Sequence, residues 1–76
     1  MILNCTDGEA EVQALEQVRE YVKKQVLKSK TVSKNGIEMT LEVRLKGDDS
    51  EFVNQIAALP GVESAVLVSY NGDYMA

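Results

Sequence analysis

One run of residues alternates strictly between apolar and polar side chains, and it constrains the fold more than any other part of the sequence. Apolar side chains occupy the odd positions from Ile37 to Leu45, and polar ones occupy the even positions from Glu38 to Lys46. A period of two is that of a β-strand with one buried face and one face in water. The run therefore predicts a strand of a sheet that other elements cover on one side.

The segment from about Asp7 to Lys24 is predicted to be a helix, because its apolar residues recur at spacings of three and four. Thr6 and Glu9 have the spacing of a capping box, so Thr6 is the expected N-cap. The buried stripe of this helix is predicted to consist of Val12, Leu15, Val18 and Val22.

A second helix is predicted from Asp48 to Leu59. Asp48 and Glu51 fit a capping box at its start, and Pro60-Gly61 ends it. Its apolar stripe consists of Phe52, Val53, Ile56 and Leu59.

Asn35-Gly36, just before the alternating run, predicts a hairpin with the segment that begins near Leu27. A two-residue Asn-Gly loop would put Lys28 and Lys30 on the buried face, which is costly. A three-residue loop, Lys34-Asn35-Gly36, avoids this cost and pairs Ser33 with Ile37. In this register the inward side chains are Leu27, Ser29 and Thr31, while Lys28 faces Glu42 and Lys30 faces Thr40.

Two further strands complete the pattern, Ile2-Leu3-Asn4-Cys5 at the start and Val62 to about Tyr70 near the end. The order strand, helix, strand, strand, helix, strand predicts a single α+β domain over residues 1–76. Right-handed crossovers fold it into a ferredoxin-like βαββαβ, with a four-stranded antiparallel sheet of order 4-1-3-2 and both helices on one face.

The composition excludes several kinds of site. The sequence has no His, so His-based metal sites and Ser-His triads are excluded, and its single Cys cannot form an intrachain disulfide. A net charge of −4 argues against nucleic acid as a partner. No nucleophile lies beside a base and no phosphate loop is present, so we expect no enzyme, no cofactor and no metal site. Cys5 is expected to be a small buried residue of the core.

Two groups of residues are candidates for binding. Free N–H groups at the start of the first helix could bind an anion or a small molecule. That candidate site consists of Thr6, Asp7, Gly8 and Glu9. A second group, Lys23, Lys24 and Lys28, could contact an anionic membrane surface, although lysines along an edge strand also protect it from aggregation.

Parts of the sequence resemble known families. The passage from Leu59 to Val68 is similar to the helix-to-strand passage of ACT regulatory domains and of heavy-metal-associated domains. The metal-binding family carries two cysteines after its first strand, where this chain has only Cys5. Three longer stretches together resemble the soluble C-terminal domain of a bacterial integral-membrane family of unknown function, often associated with a polyphosphate-polymerase-like partner. These stretches are Leu27 to Ser33, Glu38 to Lys46 and Val68 to Tyr74.

This resemblance implies a domain cut from a longer membrane protein, itself soluble and located at the cytoplasmic face of the bacterial inner membrane. Its implied partner is the transmembrane part of the same parent chain, and a homodimer is a second expectation. The function expected first is a non-catalytic regulatory or assembly domain that self-associates through its sheet. The alternatives are a sensor that binds its ligand at Thr6 to Glu9 and, less favoured, a metal-binding domain.

Overall fold

The computed structural model describes residues 1–47 and 50–68. It contains four strands and two helices in these residues, and the strands form one antiparallel sheet of order β2-β3-β1-β4. This is the predicted order read from the other edge, so the βαββαβ fold is confirmed. The elements are β1 (Ile2–Cys5), α1 (Gly8–Tyr21), β2 (Val22–Ser33), β3 (Gly36–Leu45), α2 (Phe52–Ala57) and β4 (Val62–Val66).

The core lies between one face of the sheet, here called the helix face, and the two helices. Alternate residues of β1 and β3 are buried on this face, while their neighbours on the open face contact water. Phe52 and Ile56 of α2 are buried and Val53 and Leu59 are half-buried, as their spacing predicts. The buried residues contributed by the sheet include Leu3, Cys5, Ile37, Met39, Leu41 and Val62. The capping interaction predicted for Asp48 and the last predicted strand residues, 69 and 70, lie outside the described residues.

The prediction of the buried stripe of the first helix was correct for Val18 and Val22, which are buried, and for Leu15, which is half-buried against the core, but it was wrong for Val12. The residues of α1 that are buried are Ala10, Ala14 and Val18, while Val12 is 54% exposed. The small alanine side chains let the helix approach the sheet closely, so the packed face is centred on them instead of on the larger valine. The helix also ends earlier than predicted, at Tyr21. Val22 is already extended and is buried opposite Leu45, so β2 starts directly after α1.

The prediction of a three-residue hairpin loop was also wrong. Ser33 pairs with Gly36, which leaves a two-residue turn of Lys34 and Asn35. Gly36 has a φ of +131°, a conformation that L side chains rarely adopt. A Cβ at this position would lie 2.5 Å from the carbonyl oxygen of Cys5, so glycine is also required by the close approach of β1.

The observed register places Lys30 on the helix face, opposite Met39. This arrangement is tolerated because β2 is at the edge of the sheet, where the Lys30 ammonium lies 2.8 Å from the Glu11 carboxylate of α1. A bulge between Leu27 and Ser29 shifts by one residue which side chains of β2 face inward. Leu27, three residues before Lys30, is therefore also on the helix face, opposite Leu41. Lys28, within the bulge, approaches Glu42 at 3.5 Å, the contact predicted from the sequence.

Candidate functional site

The predicted ligand loop, Thr6 to Glu9, connects β1 to α1, and all four residues are exposed. Asp7, instead of the predicted Thr6, is the N-cap of α1, and its Oδ1 accepts a hydrogen bond of 2.9 Å from the Ala10 N–H. One carboxylate oxygen of this loop is therefore occupied by the helix itself. The ligand-binding role of the loop stays a prediction.

The backbone around this loop is tightly packed by two glycines from other connections. The Thr6 N–H donates to the Gly61 carbonyl oxygen at 2.8 Å. Gly61 has a φ of +84°, and a Cβ there would lie 2.6 Å from the Ala10 Cβ. Gly36, at the hairpin, also approaches this loop, since a Cβ there would lie 3.7 Å from the Thr6 Cα. The structure thus brings together the β1–α1 loop, the β2–β3 hairpin and the connection after α2.

The Cys5 thiol is unsuited to nucleophilic chemistry. Cys5 is 1% exposed on the helix face of β1, which confirms its prediction as a core residue. Burial raises the pKa of this thiol above its usual range, and neighbouring carboxylates raise the pKa further, because each opposes the thiolate charge. These carboxylates belong to Glu11, Asp7 and Glu63. The thiol is therefore protonated near neutral pH.

The lysines predicted to contact a membrane surface all lie in the first part of β2, from Lys23 to Lys28. Lys23 lies at a bulge between the pairs Val22–Leu45 and Lys24–Arg44, and Lys24 and Lys28 follow it along the strand. All three are exposed. The pairing of Lys24 with Arg44 adds a cation that the sequence analysis did not include.

The two edges of the sheet differ in character. The β2 edge has five lysines in or beside the strand and is exposed along most of its length. The β4 edge has apolar residues instead: Val66 is 46% exposed and Val68, just after the strand, is 60% exposed. Its one charged residue is Glu63. Lysines protect an edge strand against pairing with another chain, and β4 lacks them.

A cleft of about 1030 Å³ lies beside the second half of β3. The described pairing of β1 with β3 extends as far as Met1 and Leu41, and β3 continues to Leu45. The cleft is lined by residues of both sheet faces, including Lys24 and Arg44 on the open face and Val43 and Val53 on the helix side. The sequence analysis did not predict this cleft.

A smaller cleft of about 340 Å³ lies where α1 meets α2. Tyr21 and Phe52 stack there with ring centroids 5.6 Å apart, and the Tyr21 hydroxyl donates to the Gln55 side-chain oxygen. The Lys46 ammonium donates to the Glu20 carbonyl oxygen at 3.1 Å beside it. The Tyr21 contacts join the two helices, and the Lys46 contact joins α1 to the residue after β3, so we assign this cleft a structural role.

Within residues 1–47 and 50–68, no group of three or more Cys, Asp and Glu side chains comes close enough to hold a metal ion. Over the same residues, neither helix has the length and apolar character needed to cross a membrane. When the chain was compared with protein-family models, with curated proteins and with solved structures, none matched it. The function must therefore be argued from the surfaces described above.

Proposed function

We propose that this chain is a non-catalytic regulatory or assembly domain that self-associates through the outer edge of β4. The observation that supports the proposal is the apolar, lysine-free character of this edge. Among the described residues β4 pairs with β1 alone, so its other side is available to a second copy. The β2 edge is a poor alternative, because two-fold pairing there would bring its lysines together.

The register of such a dimer follows from the pairing within the sheet. In β1 the backbone N–H and C=O groups of Leu3 point to β3, so those of its neighbours Ile2 and Asn4 point to Val66 and Ser64 of β4. In β4 the backbone groups of Ala65 and Leu67 therefore point to the outer side of the strand, away from β1. A two-fold axis beside Val66 pairs Ala65 of each copy with Leu67 of the other, and it brings the two Val66 side chains into contact on the open face.

This interface would be weak. One pair of short strands buries less area than the ~1,200 Å² of a standard stable interface, so we expect a dissociation constant of about 10–1,000 µM. Weak association suits a domain that is held at high local concentration in a larger assembly. The resemblance to the bacterial membrane family supports the further proposal that this assembly lies at the cytoplasmic face of the inner membrane. The exposed Lys23 and Lys24 agree with that location.

Sedimentation equilibrium over a range of concentrations tests the dimer. We expect the wild-type chain to associate, and the substitution Val66→Lys to abolish the association, because it puts two ammonium groups side by side at the axis. The matched control is Val32→Lys, the same exchange at a 66% exposed position on the opposite edge. It should associate like the wild type. A wild-type chain that stays monomeric at about 1 mM, or equal effects of both variants, would contradict the proposal.

A further inference from the structure

β2 is an edge strand of 12 residues, and the pairing within the sheet shows which of its backbone groups point outward. The Leu41 N–H of β3 donates to a carbonyl oxygen on the β1 side, so Leu41 and Met39 direct their backbone groups away from β2. Their partners in β2 therefore direct theirs to the outer side of the sheet. The β2 residues with outward N–H and C=O groups are Gln25, Leu27, Lys30 and Val32. Among the described residues β2 pairs with β3 alone, so these groups are available to a further strand.

The side chains of these four residues lie on the helix face, beside one flank of α1. The Lys30 ammonium marks this flank, since it lies 2.8 Å from the Glu11 carboxylate. Leu15, one helical turn after Glu11, is half-buried on the same flank. Leu27 is 49% exposed and Val32 is 66% exposed, so α1 leaves the outer margin of the helix face open. A strand added outside β2 would put alternate side chains beside Leu27 and Val32, where apolar ones are favoured.

On the open face the same edge is basic. Residues 21–37 include five lysines and no acidic residue, although the whole chain has a net charge of −4. Lys24 is exposed and pairs with Arg44. Lys28 approaches Glu42 at 3.5 Å, but both side chains are more than half exposed, so this ion pair is weak and leaves Lys28 accessible to a second carboxylate. Acidic side chains of an added strand would lie beside these cations, at the positions between its apolar ones.

The lysines also restrict what can pair with this edge. Two-fold pairing with a second copy brings lysines together, and a basic strand would be repelled in the same way. An acidic strand neutralises them, so the side chains that oppose wrong partners favour this one. An anionic lipid surface fits less well. A flat surface contacts one face of a sheet, whereas Lys24 lies on the open face and Lys30 on the helix face.

We propose that the outer edge of β2 binds an extended segment of a partner protein in which acidic residues alternate with apolar ones. The segment becomes a fifth strand of the sheet by β-augmentation. Its backbone pairs with Gln25 and Leu27 before the bulge at Lys28, and with Lys30 and Val32 after the bulge. Its apolar side chains lie on the helix face and its carboxylates on the open face. This binding does not depend on self-association, because β4 is at the opposite edge of the sheet.

A capped model peptide, Thr-Val-Glu-Ile-Glu-Val-Thr, is the probe, and the same peptide with Lys in place of Glu is its control. Hydrogen exchange of the uniformly ¹⁵N-labelled full chain tests the pairing residue by residue. In the free chain the four outward amides of β2 should exchange fast, and the acidic peptide should slow them. The alternate amides, such as that of Thr31, are already bonded to β3 and should change little. The acidic peptide should bind about tenfold more tightly than the lysine peptide at low salt, and added salt should reduce the difference.

Charge reversal at the edge provides the second arm. Lys28→Glu should weaken binding of the acidic peptide about fivefold, whereas Lys34→Glu, the same exchange in the hairpin turn, should change it less than about twofold. Equal effects of the two variants, equal binding of the two peptides, or protection that does not alternate along β2 would overturn the proposal. So would slow exchange of the outward amides in the free chain, since the edge would then already be covered.

Two further samples separate this proposal from its rivals. Phosphatidylserine vesicles that perturb the β2 amides, when the acidic peptide does not, would overturn the proposal in favour of a membrane surface. The Val66→Lys variant should bind the acidic peptide as the wild type does, because the exchange is at the other edge of the sheet. Failure of either proposal therefore leaves the other intact.

Discussion

Replacing Gly61 with alanine should destabilise this protein strongly, although it adds a single methyl group. The backbone at this position has a φ of +84°, and the new Cβ would lie 2.6 Å from the Ala10 Cβ and 3.2 Å from the Thr6 hydroxyl. A left-handed conformation costs a non-glycine residue about 1–2 kcal/mol. Overpacking against α1 adds about 1–3 kcal/mol, because the Ala10 Cβ belongs to a buried helix position and has little room to move.

The expected loss is therefore about 2–5 kcal/mol out of the roughly 4–11 kcal/mol available to a chain of this length. Urea denaturation followed by far-UV circular dichroism measures it. The midpoint should fall while the slope of the transition stays the same, because the surface exposed on unfolding is unchanged. Gly8→Ala is the matched control: nothing lies within 4 Å of a Cβ at Gly8. This variant should be as stable as the wild type or slightly more so.

A double-mutant cycle separates the two contributions. Ala10→Gly removes the atom that clashes, so in the Gly61→Ala background it should cost at least about 1 kcal/mol less than it costs alone. The conformational cost at Gly61 should remain in the double mutant. A Gly61→Ala variant within about 0.5 kcal/mol of the wild type, or a cycle with no coupling, would refute the packing described between α1 and the connection after α2.

Three further predictions concern the cap of α1, the edge ion pair and the buried thiol. Asp7→Ala should lower the free energy of unfolding, measured by urea denaturation, by about 1 kcal/mol, because Asp7 accepts the Ala10 N–H. Thr6→Ala should lower it clearly less, and the reverse order would indicate that Thr6 is the cap. Glu11→Gln should cost about 0.5 kcal/mol, and less in high salt, because Lys30, its partner in the ion pair, is exposed and water and dissolved ions therefore screen the attraction. A loss independent of salt would contradict this. The pKa of the Cys5 thiol is higher in the folded state than in the unfolded state, so the thiol of the unfolded chain loses its proton at a lower pH. The free energy of unfolding should therefore fall as pH rises above about 9. Cys5→Ser should reduce that fall, and an unchanged pH slope would count against the buried thiol as its cause.

The sequence predicted correctly those features that depend on local periodicity. The strict alternation from Ile37 to Leu45 has one interpretation, and β3 follows it residue by residue. The apolar stripe of Phe52, Val53, Ile56 and Leu59, in and just after α2, was predicted as well, since large apolar residues mark the buried face. The candidate binding residues were less predictable. The cleft beside β3 involves Lys24, Arg44 and Val53, which are distant in sequence and meet only in the folded sheet.

The hairpin shows why local rules failed elsewhere. The sequence analysis treated an inward lysine as unpaired, and on that assumption it rejected registers that bury Lys30. In the structure Lys30 is inward, and Glu11 of another element neutralises it at the sheet edge. Contacts with other elements also decide which residues of α1 are buried. The sheet and Gly61 lie close to α1, so its buried face has the small Ala10 and Ala14 instead of Val12.

The sequence by itself determined the order of elements, the antiparallel sheet and the alternating strand β3, because hydrophobic periodicity depends on residues close together in the chain and acts within each element. Only the tertiary structure decided the register of the hairpin, the buried face of α1 and the cleft beside β3. Each of these depends on atoms from elements distant in sequence, whose contacts outweigh the small local preferences of turns, caps and stripes.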